Sequence, residues 1–216
     1  MEQQLKFITI EGVDGAGKSS IIAQMKKFLE DRGEEVVLTR EPGGTQLGEE
    51  LRELLLKKTM SVATETLLMF AARQDNKDLI IAPALSSGKW VICDRHSDST
   101  YAYQVVAKGF SEHKYNQLKQ VVHGDMIPGM TLILDVPLHV SKARLAKTGK
   151  NPDKFESAGD SFHTDVINGY KNKAKQEPNR CKLIDASGTP EQTQEQAIFH
   201  LNEFYKKFEN KKKLKP

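Results

Sequence analysis

The sequence predicts an α/β fold built on a mostly parallel sheet. Five short, β-rich apolar runs support this, at Leu5 to Ile10, Val36 to Leu38, Trp90 to Cys93, Leu132 to Val136 and Leu183 to Ile184. Longer stretches of helical periodicity separate them, and strands alternating with helices give a parallel sheet. The first run also leads directly into Gly12-Val13-Asp14-Gly15-Ala16-Gly17-Lys18-Ser19, which completes the pattern G-x-x-x-x-G-K-[ST].

That first element sets the chemistry. Glycines let the backbone curl without Cβ clashes, so successive N–H groups point at phosphate oxygens. Lys18 adds a cation for the terminal phosphates, and Ser19, followed by Ser20, offers a hydroxyl to Mg²⁺. The next helix starts here with its anion-favouring end. Its apolar face is Ile21, Ile22, Met25, Phe28 and Leu29, and Gly33 is placed to cap it. Parallel sheets carry ligand loops at the carboxyl ends of their strands. The turns after Ile10, Leu38, Cys93, Val136 and Ile184 are therefore the candidate functional loops.

Composition bounds the remainder. The 216 residues are expected to form one domain, with no linker or internal repeat. A net charge of +3 does not argue for nucleic-acid binding. The lysines at 206, 207, 211, 212, 213 and 215 read as a solvated helix end, with a nucleic-acid tail as the alternative. Cys93 and Cys181 lie in apolar runs, as buried thiols of a reducing compartment do. The six histidines show no metal-ligand spacing. There is no secretory signal and no apolar run of membrane-spanning length, so a cytoplasmic protein without a membrane partner is expected.

The second run ends in Thr39-Arg40-Glu41-Pro42-Gly43-Gly44-Thr45, read as a loop, either an ordinary connection or a ligand loop. A long helix follows, about Thr64 to Leu85. In it Phe70 fits the core, or stacks on a base together with Arg73 one turn on. The third run ends in Cys93-Asp94-Arg95-His96. A strand-end Asp94 suits a place near Mg²⁺, and Arg95 suits a second anion facing the first. His96 reads as a structural hydrogen-bonding residue. Ser99, Thr100, Tyr101, Tyr103 and Gln104 open the next helix, as caps and packing or as readers of a base and sugar. The fourth run, Leu134-Asp135-Val136-Pro137, leads into a helix with Lys142, Arg144 and Lys147. The polar stretch from Thr148 to Asp160 is either a mobile lid or a solvated loop. Tyr170 sits on a further helix. Asp185-Ala186-Ser187-Gly188-Thr189 could border a nucleotide base. A final amphipathic helix carries Ala197, Ile198, Leu201, Phe204 and Tyr205.

Taken in order, these motifs resemble the thymidylate kinase family over nearly the whole length. The resemblance rests on residues 11–19, 39–45 and Leu68-Met69-Phe70-Ala71-Ala72-Arg73. It rests also on Asp94-Arg95-His96 with residues 99–104, on Leu134-Asp135-Val136 and on Ile184-Asp185-Ala186. It implies a P-loop kinase three-layer fold with a five-stranded parallel sheet flanked by helices, usually as a homodimer. It implies transfer of the γ-phosphate of ATP to dTMP, with Mg²⁺. The alternative is a kinase of the same fold acting on dUMP, a modified deoxyuridylate or a deoxynucleoside.

By that resemblance Gly12, Asp14, Gly15, Ala16, Gly17, Lys18, Ser19 and Ser20 hold ATP, and Ser19 and Asp94 serve the metal. Phe70 stacks on thymine and Arg73 hydrogen-bonds it. Ser99 and Thr100 lie near the base, while Tyr103 and Tyr170 border the sugar. Asp14 reaches the 3′-hydroxyl and helps hold Arg95, which grips the acceptor phosphate with Arg40 and Glu41 nearby. Gly15 stands where one branch of the family has a P-loop arginine, so the chain resembles the branch whose lid, about 144–160, supplies the cation. The usual Asp-Arg-Phe/Ile-Glu of that lid is here Asp153-Lys154-Phe155-Glu156. Arg144, Lys147, Lys150 and Lys154 are the candidates, and Arg144 is the residue assigned with Lys18, Arg95 and Asp14 to catalysis. Because the acceptor is already a phosphate, its second pKa near ~6 makes a strong general base unnecessary. Positioning and charge neutralisation are what the reaction asks of the protein.

Overall fold

The structure is a computed structural model that describes residues 5–149 and 151–213. The five apolar runs pair in one all-parallel sheet. Its strands are β1 (Phe7–Glu11), β2 (Val36–Arg40), β3 (Trp90–Asp94), β4 (Met130–Asp135) and β5 (Cys181–Asp185), in the order β2-β3-β1-β4-β5. β1 lies at the centre, between β3 and β4, where the strand order reverses. The crevice that binds ligands in such sheets opens at this point.

Both sheet faces are covered, as continuous apolar strands require. Ile8, Ile10, Trp90 and Ile92 pack with Met25 and Leu29 of α1 (Lys18–Glu30) and with Leu201 and Phe204 of α9 (Pro190–Lys213). The alternate residues Phe7, Val91 and Cys93 face Ile81 and Ala84. Gly33 caps the end of α1 at φ 76°, donating to the Glu30 carbonyl.

Some boundaries differ from expectation. Thr39 and Arg40 belong to β2, in register with Cys93 and Asp94, so the loop starts at Glu41. Register with a neighbouring strand, invisible in the local sequence, extends the strand past its apolar run. After α2 (Gln46–Lys57), the helix expected over 64–85 is α3 (Val62–Asn76), a π-helical segment (Lys77–Ile81) and α4 (Ala82–Ser86) in one continuous rod. A second π segment (Tyr101–Val106) follows the short α5 (Ser97–Thr100). α6 (Glu112–His123), α7 (Leu138–Ala146) and α8 (Asp160–Gln176) complete the fold. Arg144 is thus helical, and the irregular stretch starts beyond Ala146. Cys93 and Cys181 are buried and unpaired.

Candidate active site

The P-loop opens after β1 and passes into α1 through Gly17, at φ 100°. Lys18 is curled back, donating to the Gly12 and Val13 carbonyls at 3.1 Å each and to Asp14 Oδ1 at 3.4 Å. Burial, and then the Arg95 charge, push its ammonium pKa down. Ser19 and Ser20 are exposed on the rim, and Ser20 Oγ accepts from Gln194 Nε2 of α9 at 2.9 Å. At Gly15 (φ 78°) an added Cβ would lie 2.5 Å from the Ser141 carbonyl oxygen and 3.1 Å from Leu145 Cγ. With α7 pressed this close, a P-loop arginine has no room.

Asp14 bridges the two halves of the cleft. Its Oδ1 takes Arg95 Nη2 at 2.6 Å as well as Lys18. Burial disfavours the Asp14 charge, but Arg95 and Lys18 together hold its carboxyl below the ordinary range. Arg95 sits just past β3 at φ 67°, a left-handed conformation that a non-glycine residue adopts at a cost. Its Nη1 donates to Ser99 Oγ at 3.3 Å and to the Tyr170 hydroxyl at 3.1 Å. Its guanidinium carbon stands 5.4 Å from the Tyr103 ring centre.

Glu11 holds this strained corner from below. It is fully buried and accepts from the His96 amide at 2.7 Å, Ser99 Oγ at 2.5 Å and the Tyr170 hydroxyl at 3.3 Å. Burial, and then the Asp98 charge, raise its pKa to about 8. His96 itself is buried edge-on to Phe7 and His123, and burial holds its pKa far below the usual value, keeping it neutral.

Two compartments meet at this corner. A cavity is walled by Glu41, Pro42, Arg52, Arg73, Arg95, Ser99, Thr100, Tyr103 and Gln104. A larger groove runs along Gly15, Gly17, Lys18, Ser19, Ser20, Asp94, Lys142 and Arg144. Asp14, Asp153 and Glu156 line both, so the groove and the cavity touch end to end. In the groove, one carboxylate oxygen of Asp94 is buried with no hydrogen-bond partner. Arg144 Nη2 donates to the Gly188 carbonyl at 3.0 Å, tying α7 to the turn after β5.

In the cavity, Glu41 orients Arg73 through Nε to Oε2 at 2.6 Å, and Thr100 Oγ1 accepts from Nη2 at 3.1 Å. The remaining nitrogen, Nη1, is buried without a partner. Phe70 lies behind Arg73. It is 2% exposed, and the guanidinium carbon is 4.7 Å over its ring, so Arg73 rather than Phe70 forms the cavity wall. Arg40 is also off this wall. It forms a two-pronged pair with Glu49, at 3.1 and 2.7 Å, on the exposed side of β2.

The thymidylate kinase family model matches residues 10–197. The chain belongs to the thymidylate kinase family. It is 48% identical over 199 residues to the thymidylate kinase of Methylobacillus flagellatus, covering 92% of this chain and 98% of that one. It is 46% identical over 187 residues to that of Nitrosomonas europaea, covering 86% of each. A crystal structure of thymidylate kinase from Ehrlichia chaffeensis superposes with a TM-score of 0.73 at 34% identity, covering 91% of this chain and 97% of that one.

Within this thymidylate kinase fold, the expected lid cations separate. Arg144 lines the groove, Lys147 lines neither compartment, and Lys154 pairs with Glu65 at 2.8 Å. Lys150 lies outside the described residues. Sequence reasoning gave no role to Glu11 or Arg52, while Gln104, a candidate reader of base and sugar, does line the cavity. Arg52 resembles any charged residue on an amphipathic helix, and only the fold brings it to the cavity, where its guanidinium donates to the Pro42 carbonyl at 3.0 Å.

Proposed function

We propose that ATP lies in the P-loop groove and dTMP in the adjoining cavity, their phosphates meeting beside Asp14. The reaction is the ATP-dependent phosphorylation of dTMP to dTDP. The observation that carries the arrangement is the unbroken chain Lys18–Asp14–Arg95, at 3.4 and 2.6 Å, which spans both compartments with two cations and one carboxylate. Bringing two polyanions together is the main obstacle to such a transfer, and fixed cations lower it most.

On this reading the residues 12–20 cradle the donor phosphates, with Lys18 neutralising the transferred group. Arg95, joined by Arg52, holds the acceptor phosphate, and Asp14 keeps Arg95 aimed. The partnerless Arg73 Nη1 donates to the thymine ring, and Phe70 contributes at that end through the face on which Arg73 rides. Thr100 and Ser99 border the base, and Tyr103 and Tyr170 border the sugar. Arg40 supports the loop opening through Glu49, with Glu41 as the buried anchor of Arg73. Arg144, with Lys142, supplies the positive charge that the P-loop lacks at Gly15.

The site fits Mg²⁺. Asp94 offers an oxygen without a partner and Ser19 a hydroxyl, a hard-oxygen set of the kind that shares this ion with substrate phosphates. When bound, the ion neutralises charge on the donor phosphates. The buried free thiols suit a cytoplasmic protein. No helix among the described residues is long and apolar enough to cross a membrane.

Lys18→Ala and Arg95→Ala should each lower kcat/KM at least ~100-fold, about 2.7 kcal/mol of transition-state stabilisation. The measurement is ADP release coupled to a dehydrogenase with dTMP as acceptor. Near-wild-type turnover in either variant removes that residue from the mechanism.

A further inference from the structure

The segment 153–156 forms a self-capped turn. Asp153 Oδ1 accepts from the Phe155 and Glu156 amides at 2.8 and 2.9 Å, and Glu156 Oε2 accepts from the Asp153 amide at 3.0 Å. These reciprocal bonds make the turn one rigid piece. Asp153, Phe155 and Glu156 line the acceptor cavity. Lys154 is directed elsewhere. Its Nζ donates to Glu65 Oε2 at 2.8 Å and to the Lys58 carbonyl at 3.0 Å.

Glu65, on α3, is 2% exposed and gathers three donors. Besides Lys154, its carboxylate accepts from Gln104 Nε2 at 2.9 Å and Lys108 Nζ at 2.6 Å. Gln104 lines the same cavity. Phe155 completes the contact, with its ring edge-on to Tyr103 at 5.8 Å and the ammonium groups of Lys108 and Lys154 4.6 and 4.8 Å from its centre. One buried carboxylate therefore ties together α3, the second π segment and the 153–156 turn.

We propose that Lys154 is a latch: its ion pair with Glu65 seats the 153–156 turn as a fixed wall of the acceptor cavity. Lys154 is then a positioning residue for dTMP and not a ligand of the transferred phosphate. This rests on the reading of the cavity as the dTMP site. A lysine suits the task, because a point charge on a flexible stem satisfies a carboxylate and a carbonyl together without needing a planar fork. Losing Lys154 leaves Glu65 paired with Lys108, so the substitution does not strand a buried charge.

Steady-state kinetics of Lys154→Met test this, with dTMP and ATP varied separately. The KM for dTMP should rise ~5- to 10-fold, the net weight of one ordinary hydrogen bond, while kcat and the KM for ATP move less than ~3-fold. Lys154→Arg should restore the dTMP KM. Glu65→Gln added to Lys154→Met should raise it no further, because the two residues act as one unit. A kcat loss of ~100-fold at unchanged dTMP KM would make Lys154 a phosphate ligand and overturn the latch. Multiplying effects in the double variant would overturn it too.

Amide exchange on the wild-type protein needs no variant. A latched turn is protected at 155–158 without nucleotide, and protection that appears only on adding ATP and dTMP refutes the latch. A wild-type enzyme that forms no dTDP would refute the kinase reading, while the exchange pattern would still decide the latch.

Discussion

At the scale of single residues, the site is governed by buried groups whose charge depends on what surrounds them. Glu11 shows this best. Its ordinary carboxyl value of 4.5 is raised to about 8 by burial and then by Asp98, with Ser99, Arg95 and the His96 amide only partly offsetting. Folding therefore takes up a proton at this side chain between those two values. A group whose folded pKa is raised contributes stability that is complete below its unfolded pKa and is lost as pH climbs through the folded one. Glu41, raised by burial, acts in the same direction. In Glu11→Gln the Glu11 contribution is gone. The melting temperature of the variant relative to wild type should thus increase by ~5 °C between pH 5 and pH 9. Melting curves at the two pH values check it, and a difference that stays flat or shrinks shows that Glu11 is charged throughout. None of this is visible in the sequence, where Glu11 is simply the charged residue between an apolar run and the P-loop.

Elements carry the next level of control, and here the two π segments matter. The second one, Tyr101–Val106, brings Tyr103 and Gln104 to the cavity. It is fixed from outside by α8, which crosses it at Gly169. A Cβ there would lie 2.8 Å from Ala102 Cα and 3.1 Å from Ala102 Cβ, and backbone cannot yield as a flexible side chain can. Gly169→Ala should therefore cost ~1–3 kcal/mol, the usual penalty of overpacking. It should also raise the KM for dTMP, because the displaced segment carries cavity residues. Urea unfolding and acceptor kinetics report the two effects; a variant with wild-type midpoint and KM means the helices separate freely. The five strands, their alternation with helices and the P-loop were legible in the sequence because apolar period and glycine spacing are local properties. The π turns left no comparable mark. One extra residue per turn does not change which residues are apolar.

For the whole molecule, the parallel sheet places every ligand loop at one edge, and a single crevice results. Opposite that economy stands an unpartnered surface. α2 and α3 pack together and expose Leu47, Leu54 and Leu67 at 48, 45 and 55%. Exposed leucines on neighbouring helices suit the homodimer expected from the family. Light scattering on the purified protein should give the mass of two chains, and Leu67→Glu should reduce it to one by placing a charge where apolar area is buried. A wild-type monomer at micromolar concentration overturns the dimer expectation.

The sequence by itself determined the fold class, the phosphate-binding loop and the family, because each is written in short-range pattern: runs of β-branched residues, glycines at fixed offsets, and motifs in a fixed order. It also named Arg95, Asp14, Arg73 and Tyr170, through strand-end position and resemblance. Only the tertiary structure decided where the lid cations point and what fixes the strained Arg95 corner. Lys154 finds Glu65 across 89 residues, and Glu11 finds the His96 amide across 85. Contacts at such separation arise from how packed layers fold over one another. Local periodicity specifies that a side chain is buried or exposed, not which distant carboxylate it will meet.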